Sequence, residues 1–255
     1  MIKIITLKIK SINEIFEYLR LREYFTADEL FHRYRLYETH LNRNTFKSRI
    51  RELKRKNLIR DVMRGIYTLS DKPYFRPAIS KDIKKTTNLF KKQYPEVLYC
   101  AWSTLWLNNF TIRQIVSSFN ILEVENDVID SIFYNLQEKG LSVFLQPDKE
   151  SIDRYVLTKE GSIVIIPLIT RAPTLVLDNT DVPSLEKILV DTFCDQELYF
   201  IFSGNELINI YRYAYKKYAL NFSRLLAYAE RRKRKTEIRE FIIQHLDNSL
   251  EKILK

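Results

Sequence analysis

The chain has 255 residues, 45% of them hydrophobic and 29% charged, with a formal net charge of +10 at pH 7. That composition supports packed cores in two domains, and only 4 glycines and 7 prolines exclude a disordered or low-complexity organisation. No run approaches the roughly 18 apolar residues of a helical membrane span, and Lys3, Lys8 and Lys10 interrupt the N-terminal apolar residues as no signal peptide does. Cys100 and Cys194 lie in apolar contexts (LYCAW, TFCDQ), so a soluble cytoplasmic protein with two reduced thiols is expected.

In chain order, Ile12, Ile15, Phe16 and Leu19 give a first helical stripe. Thr26-Ala27-Asp28-Glu29 fits the S/T-x-x-E capping box and starts a second helix. The segment from Asn42 to Arg60 predicts a third, with eight basic residues against one acid, Glu52. Phe46, Ile50, Leu53 and Asn57 fall on one stripe of it, and Arg43, Lys47, Arg51 and Lys54 on another face. Leu58 to Leu69 then reads as two short strands with a turn at Arg64-Gly65. Helix, helix, basic helix and hairpin form the plan of a winged helix-turn-helix over residues 1–72.

Charge runs are usually solvated faces. Here the charge is nearly single-signed and flanked by the elements that present a helix to a DNA major groove, so duplex DNA is the expected partner. Arg43, Asn44, Lys47 and Arg51 are expected to face base edges and phosphates. Lys54 belongs to the same set, and Arg55 and Arg64 are expected to contact the backbone.

The prolines of Ser70-Asp71-Lys72-Pro73-Tyr74-Phe75-Arg76-Pro77 mark the domain boundary, and a connecting helix from about Ser80 to Tyr94 completes a linker over 73–95. From 96 to 255 an α/β domain follows. Strands are expected at Val97–Ala101, Phe119–Glu125, Leu141–Leu145 and Ser162–Ile169, and a helix at Asp127–Glu138 with Gly140 as its stop. From 182 to 255 the chain reads as helical, through Pro183–Phe193, Asn205–Lys217, Phe222–Arg232 and Thr236–Leu246. The fold class is mixed, α+β. Charge follows this division: residues 1–95 carry a net +13, 96–210 a net −10 and 211–255 a net +7. The positive ends suit a polyanion and the acidic centre does not.

Signals for catalysis are weak. His32, His40 and His245 have no metal-ligand spacing, and glycines at 65, 140, 161 and 204 make no phosphate loop. Glu123 and Glu125 alternate on a strand and would share one face, as paired metal-binding acids do, but the lysine a nuclease pattern wants at 127 is Asp. A solvated strand face explains them, and an apolar docking stripe explains most of the helix holding Glu186, Lys187 and Asp191. No enzyme activity, cofactor or metal is expected. Five consecutive cations, Arg231, Arg232, Lys233, Arg234 and Lys235, exceed what a helix C-terminus needs and suggest a contact with phosphate or an acidic partner.

These segments together resemble the AbiEi-type antitoxins of bacterial abortive-infection toxin–antitoxin systems. The resemblance rests on the module ending Arg64-Gly65-Ile66-Tyr67, on FNILEVE from Phe119, on FLQPDKE from Phe144, on PSLEKILVD from Pro183 and on LAYAERR from Leu226. It implies a DNA-binding antitoxin that represses its own promoter and counteracts a nucleotidyltransferase-like toxin encoded beside it. The other readings are a winged-helix regulator whose α/β domain binds a protein partner or ligand, and a nuclease-like enzyme.

Overall fold

A computed structural model of the chain describes residues 13–69, 72–112, 114–247 and 250–254. Ile12 of the first stripe and Ser70-Asp71 of the expected boundary lie outside them. Two compact units are present, one running up to Pro73 with Asn221–Ser223, the other comprising Tyr74–Leu220 and Arg224–Leu254. The protein is mixed α/β with a helical C-terminal segment. No helix among the described residues is long and apolar enough to cross a membrane.

The first unit holds α1 (13–20), β1 (Phe25–Thr26), α2 (Ala27–Tyr37), α3 (Arg43–Arg55), β2 (Arg60–Met63) and β3 (Ile66–Thr68). The three short strands form an antiparallel sheet in the order β1-β3-β2. The capping box is made: Thr26 Oγ1 accepts the Glu29 N–H at 3.1 Å, and Glu29 accepts the Thr26 N–H at 2.7 Å. Gly65 turns the β2–β3 hairpin at φ +76°, which a side chain would strain. Ile15, Leu19, Leu30, Phe31, Tyr34, Phe46, Ile50 and Leu53 bury one core, with Phe16 packed at its margin.

The third helix is shorter than its pattern suggested. It ends at Arg55, and Asn57 adopts φ +55° in place of a fourth stripe position. The Asn57 N–H donates to the Lys54 carbonyl and the Leu58 N–H to that of Leu53, the paired bonds of a Schellman stop. Ile59 is thereby buried and Arg60 opens β2. Asn42 caps the other end, its side chain accepting the Thr45 N–H at 2.9 Å. Replacing Asn42 with alanine should cost this helix about 1 kcal/mol, read as faster native-state hydrogen exchange of the α3 amides; unchanged exchange would show the cap to be dispensable.

In the second unit α4 (Lys81–Gln93) starts at the Ser80 cap and packs Phe90 against Tyr99, ring centroids 5.1 Å apart. The main sheet has the order β4 (Tyr99–Ser103), β5 (Asn120–Val124), β7 (Ile163–Pro167), β6 (Val143–Leu145). β4 runs antiparallel to β5, while β5, β7 and β6 are mutually parallel, as α/β connections require. α5 (Ile129–Glu138) supplies one such connection and stops at Gly140 (φ +75°). α6 (Lys149–Ser151) and the π turn at Ile152–Val156 supply the other.

An unexpected hairpin follows, β8 (Thr174–Leu177) with β9 (Thr180–Pro183), turning at Asp178 and Asn179, both at positive φ. Pro183 therefore ends a strand instead of opening a helix. α7 (Leu185–Cys194) is capped by Ser184, and α8 (Asn205–Lys217), α9 (Phe222–Arg231), α10 (Lys235–His245) and α11 (Glu251–Leu254) complete the chain. Every residue of α7 from Leu185 to Thr192 is buried, so α7 is an interior element of this unit.

Candidate functional site

Two arrangements stand out, one in each unit. On α3 the core stripe of Phe46, Ile50 and Leu53 fixes which side chains face solvent. Asn44, Lys47, Arg51 and Arg55 recur at i, i+3, i+7 and i+11 on the opposite side, and all four are exposed. None of the four side chains makes a hydrogen bond or ion pair among the described residues.

The flanks of α3 behave differently. Arg49 holds the Glu38 carboxylate with two bonds of 2.5 and 2.7 Å, Lys54 bonds Asp61 at 2.6 Å, and Lys56 pairs with Glu52. Arg43 bonds Asp28 and lies over the Phe31 ring at 4.1 Å. Arg43 and Lys54, expected beside Lys47 and Arg51, are thus tied within the unit, because their angular position brings them against α2 and β2. Arg55 takes their place on the solvent stripe. Arg64 sits exposed at the hairpin turn. The first turn of α3 contains no acid, whereas that of α2 carries Asp28 and Glu29. The positive end of the α3 dipole is left without a countercharge on its own helix, a place where an anion is favoured.

The second arrangement is a buried ion cluster. Glu123 on β5 and Lys187 on α7 are 2% and 0% exposed. Lys187 Nζ donates to both Glu123 oxygens, at 2.5 and 2.7 Å, and to Asp191 Oδ2 at 2.5 Å. Asp191 Oδ1 accepts from the Tyr228 hydroxyl and from Arg232, each at 2.8 Å, and Arg232 also donates to Asp195 at 2.6 Å. Five charged groups from β5, α7, the residue after α7 and the end of α9 therefore form one hydrogen-bonded set. A cavity of about 740 Å³ opens over the acids of this set.

Neither member of the Glu123–Glu125 pair sits as expected. Val124 is the last strand residue, so Glu123 turns inward to Lys187, while Glu125 lies exposed past the strand end and accepts the Leu98 N–H at 3.0 Å. The two acids are not a metal-binding pair, and β5 is not a solvated strand. The basic run is likewise divided: Lys233 at φ +56° separates α9 from α10, Arg232 is committed to Asp191 and Asp195, Arg231 bonds Thr170, Arg234 pairs with Glu237 and Lys235 with Glu230. It is not a block of five available cations.

Burial pushes the Glu123 carboxyl up to about 7, against the pull of Lys187. Burial alone would lower Lys187, but Asp191 and Glu123 outweigh it and hold the ammonium well above its usual range. The Asp195 carboxyl is raised by burial as well, despite Arg232. The Cys194 thiol is raised to about 12 by burial, so it stays protonated and unreactive at neutral pH.

The sign for stability follows from Glu123. Between its ordinary 4.5 and about 7 the folded state holds a proton that the unfolded chain has released. The contribution of Glu123 is therefore largest below that window and is lost as pH rises through it. Relative to Glu123→Gln, the protein should lose stability in urea between about pH 5 and about pH 7.5. Parallel stability curves for the two proteins would refute the assignment.

A family model described as a family of unknown function (DUF6577) matches residues 45–248. The chain belongs to this family. The DUF6577 match begins inside α3 and runs past the end of α10, so it takes in the solvent stripe from Lys47 onward and the whole ion cluster. Neither the search of curated proteins nor that of solved structures found a match.

Proposed function

We propose that the first unit is a winged helix that binds duplex DNA through α3, and that the protein is an antitoxin-type autorepressor of the AbiEi kind. The observation that carries this reading is the stripe of Asn44, Lys47, Arg51 and Arg55, exposed and unpaired among the described residues while the flanking cations of the same helix are neutralised. Angular position ties the flanking cations to α2 and β2, and the cations left on the outward stripe are those a partner can reach. Cations along one exposed face are suited to backbone phosphates, and Asn44 to an adenine edge. Arg64 on the hairpin is the contact of the wing, and the anion-favouring start of α3 adds a phosphate position.

On this reading the second unit counteracts a nucleotidyltransferase-like toxin encoded by the neighbouring gene. Co-expression tests that half. The full chain should restore growth to cells making the adjacent gene product, and a protein that never protects would overturn the antitoxin role. DNA binding is tested separately, by titrating the protein with duplex from upstream of its own gene.

A further inference from the structure

The cavity over the ion cluster has features that DNA binding does not use, and the inference drawn from it is independent of that reading. It lies beyond the carboxyl ends of the parallel strands β5, β7 and β6, where open α/β sheets place their ligands. Its volume of about 740 Å³ is that of a small-molecule site. Pro147, Ile166 and Leu198 line it with apolar surface, and the buried Glu123 and Asp191 stand at its polar end.

Its charges decide the class of ligand. Two arginines line the cavity and both are occupied, Arg232 by Asp191 and Asp195, Arg234 by Glu237. The second oxygen of Asp195 and the whole carboxylate of Glu197 have no partner among the described residues. The charge left without a partner in the cavity is negative, on a protein whose overall charge is +10, and Gln146 and Gln196 add only neutral amides to the lining. A phosphate or carboxylate ligand would meet uncompensated acids there, whereas an ammonium or guanidinium would complete them.

We propose that this cavity binds a small organic cation, an amine or guanidine carried on a short apolar body, with Asp195 and Glu197 as the residues that hold the charged end. The cationic end donates to the free carboxylate oxygens, and the body lies against Pro147, Ile166 and Leu198.

Calorimetric titration of the full chain with agmatine, tyramine and AMP tests this. Agmatine or tyramine should bind one per chain with a Kd below about 1 mM, and AMP should not. Asp195→Asn combined with Glu197→Gln should weaken that binding at least about tenfold. Glu150→Gln, an exposed acid elsewhere, should leave it unchanged. Glu197→Gln alone, at an exposed position without a partner among the described residues, keeps the test valid if the double variant fails to fold, and should itself weaken binding. The proposal is overturned if neither cation binds, if AMP binds instead, or if the Glu197 variants bind the cations as tightly as the native chain.

Discussion

Lys187→Met should destabilise the second unit by about 3–5 kcal/mol at pH 8, making it the most damaging single change proposed for this protein. The magnitude follows from what the substitution leaves behind. Methionine fills the space of the lysine stem but not its three donors, so Glu123 and Asp191, 2% and 3% exposed, face each other with no cation between them. Arg232 and Tyr228 still hold one oxygen of Asp191, but among the described residues no other side chain donates a hydrogen bond to Glu123. Glu123 would respond by holding its proton more firmly, because burial already pushes its carboxyl up to about 7. Part of the loss should therefore be recovered at about pH 5, and adding Glu123→Gln to the methionine variant should recover part of it at pH 8. Urea unfolding at both pH values measures this. A loss below about 1 kcal/mol at pH 8 would mean that the cluster does not hold β5 to α7.

Lys47→Ala with Arg51→Ala should weaken DNA binding about a hundredfold at moderate salt while leaving stability nearly unchanged. Both side chains are exposed and neither makes an ion pair among the described residues, so their loss removes no contact of the fold described there. If each neutralises one phosphate, the slope of log K against log[salt] should fall by about 2 units, uniformly across DNA sequences. Arg43→Ala with Lys54→Ala makes the informative contrast. Those cations are already partnered by Asp28 and Asp61, so their loss should lower the slope by less than about 1 unit and reduce stability instead. The reverse ranking would place the DNA on a flank of α3, with Asn44 and Arg55 away from it.

Local chemistry was readable in the sequence where one or two residues decide a structure. Thr26 and Glu29 form their capping box because both halves of it lie within four residues. Gly65 and Gly140 stand where a positive φ is needed, and the alternating pattern around Ile121 becomes a central strand. The stop at Asn57 was equally local but easily passed over, because asparagine takes the left-handed position less often than glycine and a helical pattern can run through it. Asp178-Asn179 between two β-branched runs was a hairpin signal of the same kind.

The ion cluster was not readable, for a physical reason. Glu123 and Lys187 are 64 residues apart and meet only because α7 lies on the face of β5 from which Glu123 projects. What the sequence did carry was a hint of burial: charged residues set inside apolar runs, Glu123 in NILEV and Lys187 in LEKILV, with Asp191 one turn further on. A charge that burial cannot tolerate alone calls for a partner elsewhere, although the sequence does not say which. The same holds for α3. Periodicity separated core from cation, but deciding which cations remain free required knowing where Asp28, Glu38 and Asp61 come to lie.

The central claim, that α3 presents its unpaired stripe to duplex DNA, is tested most directly by fluorescence anisotropy of the full chain on duplex from upstream of its own gene. Titrations over about 50 to 300 mM salt should give binding that weakens linearly in log–log form, with a slope of about −4 for the contacts of Lys47, Arg51, Arg55 and Arg64. Unrelated duplex of equal length should bind at least about a thousandfold more weakly. An absence of binding at 50 mM salt, or equal affinity for both duplexes, would contradict the account.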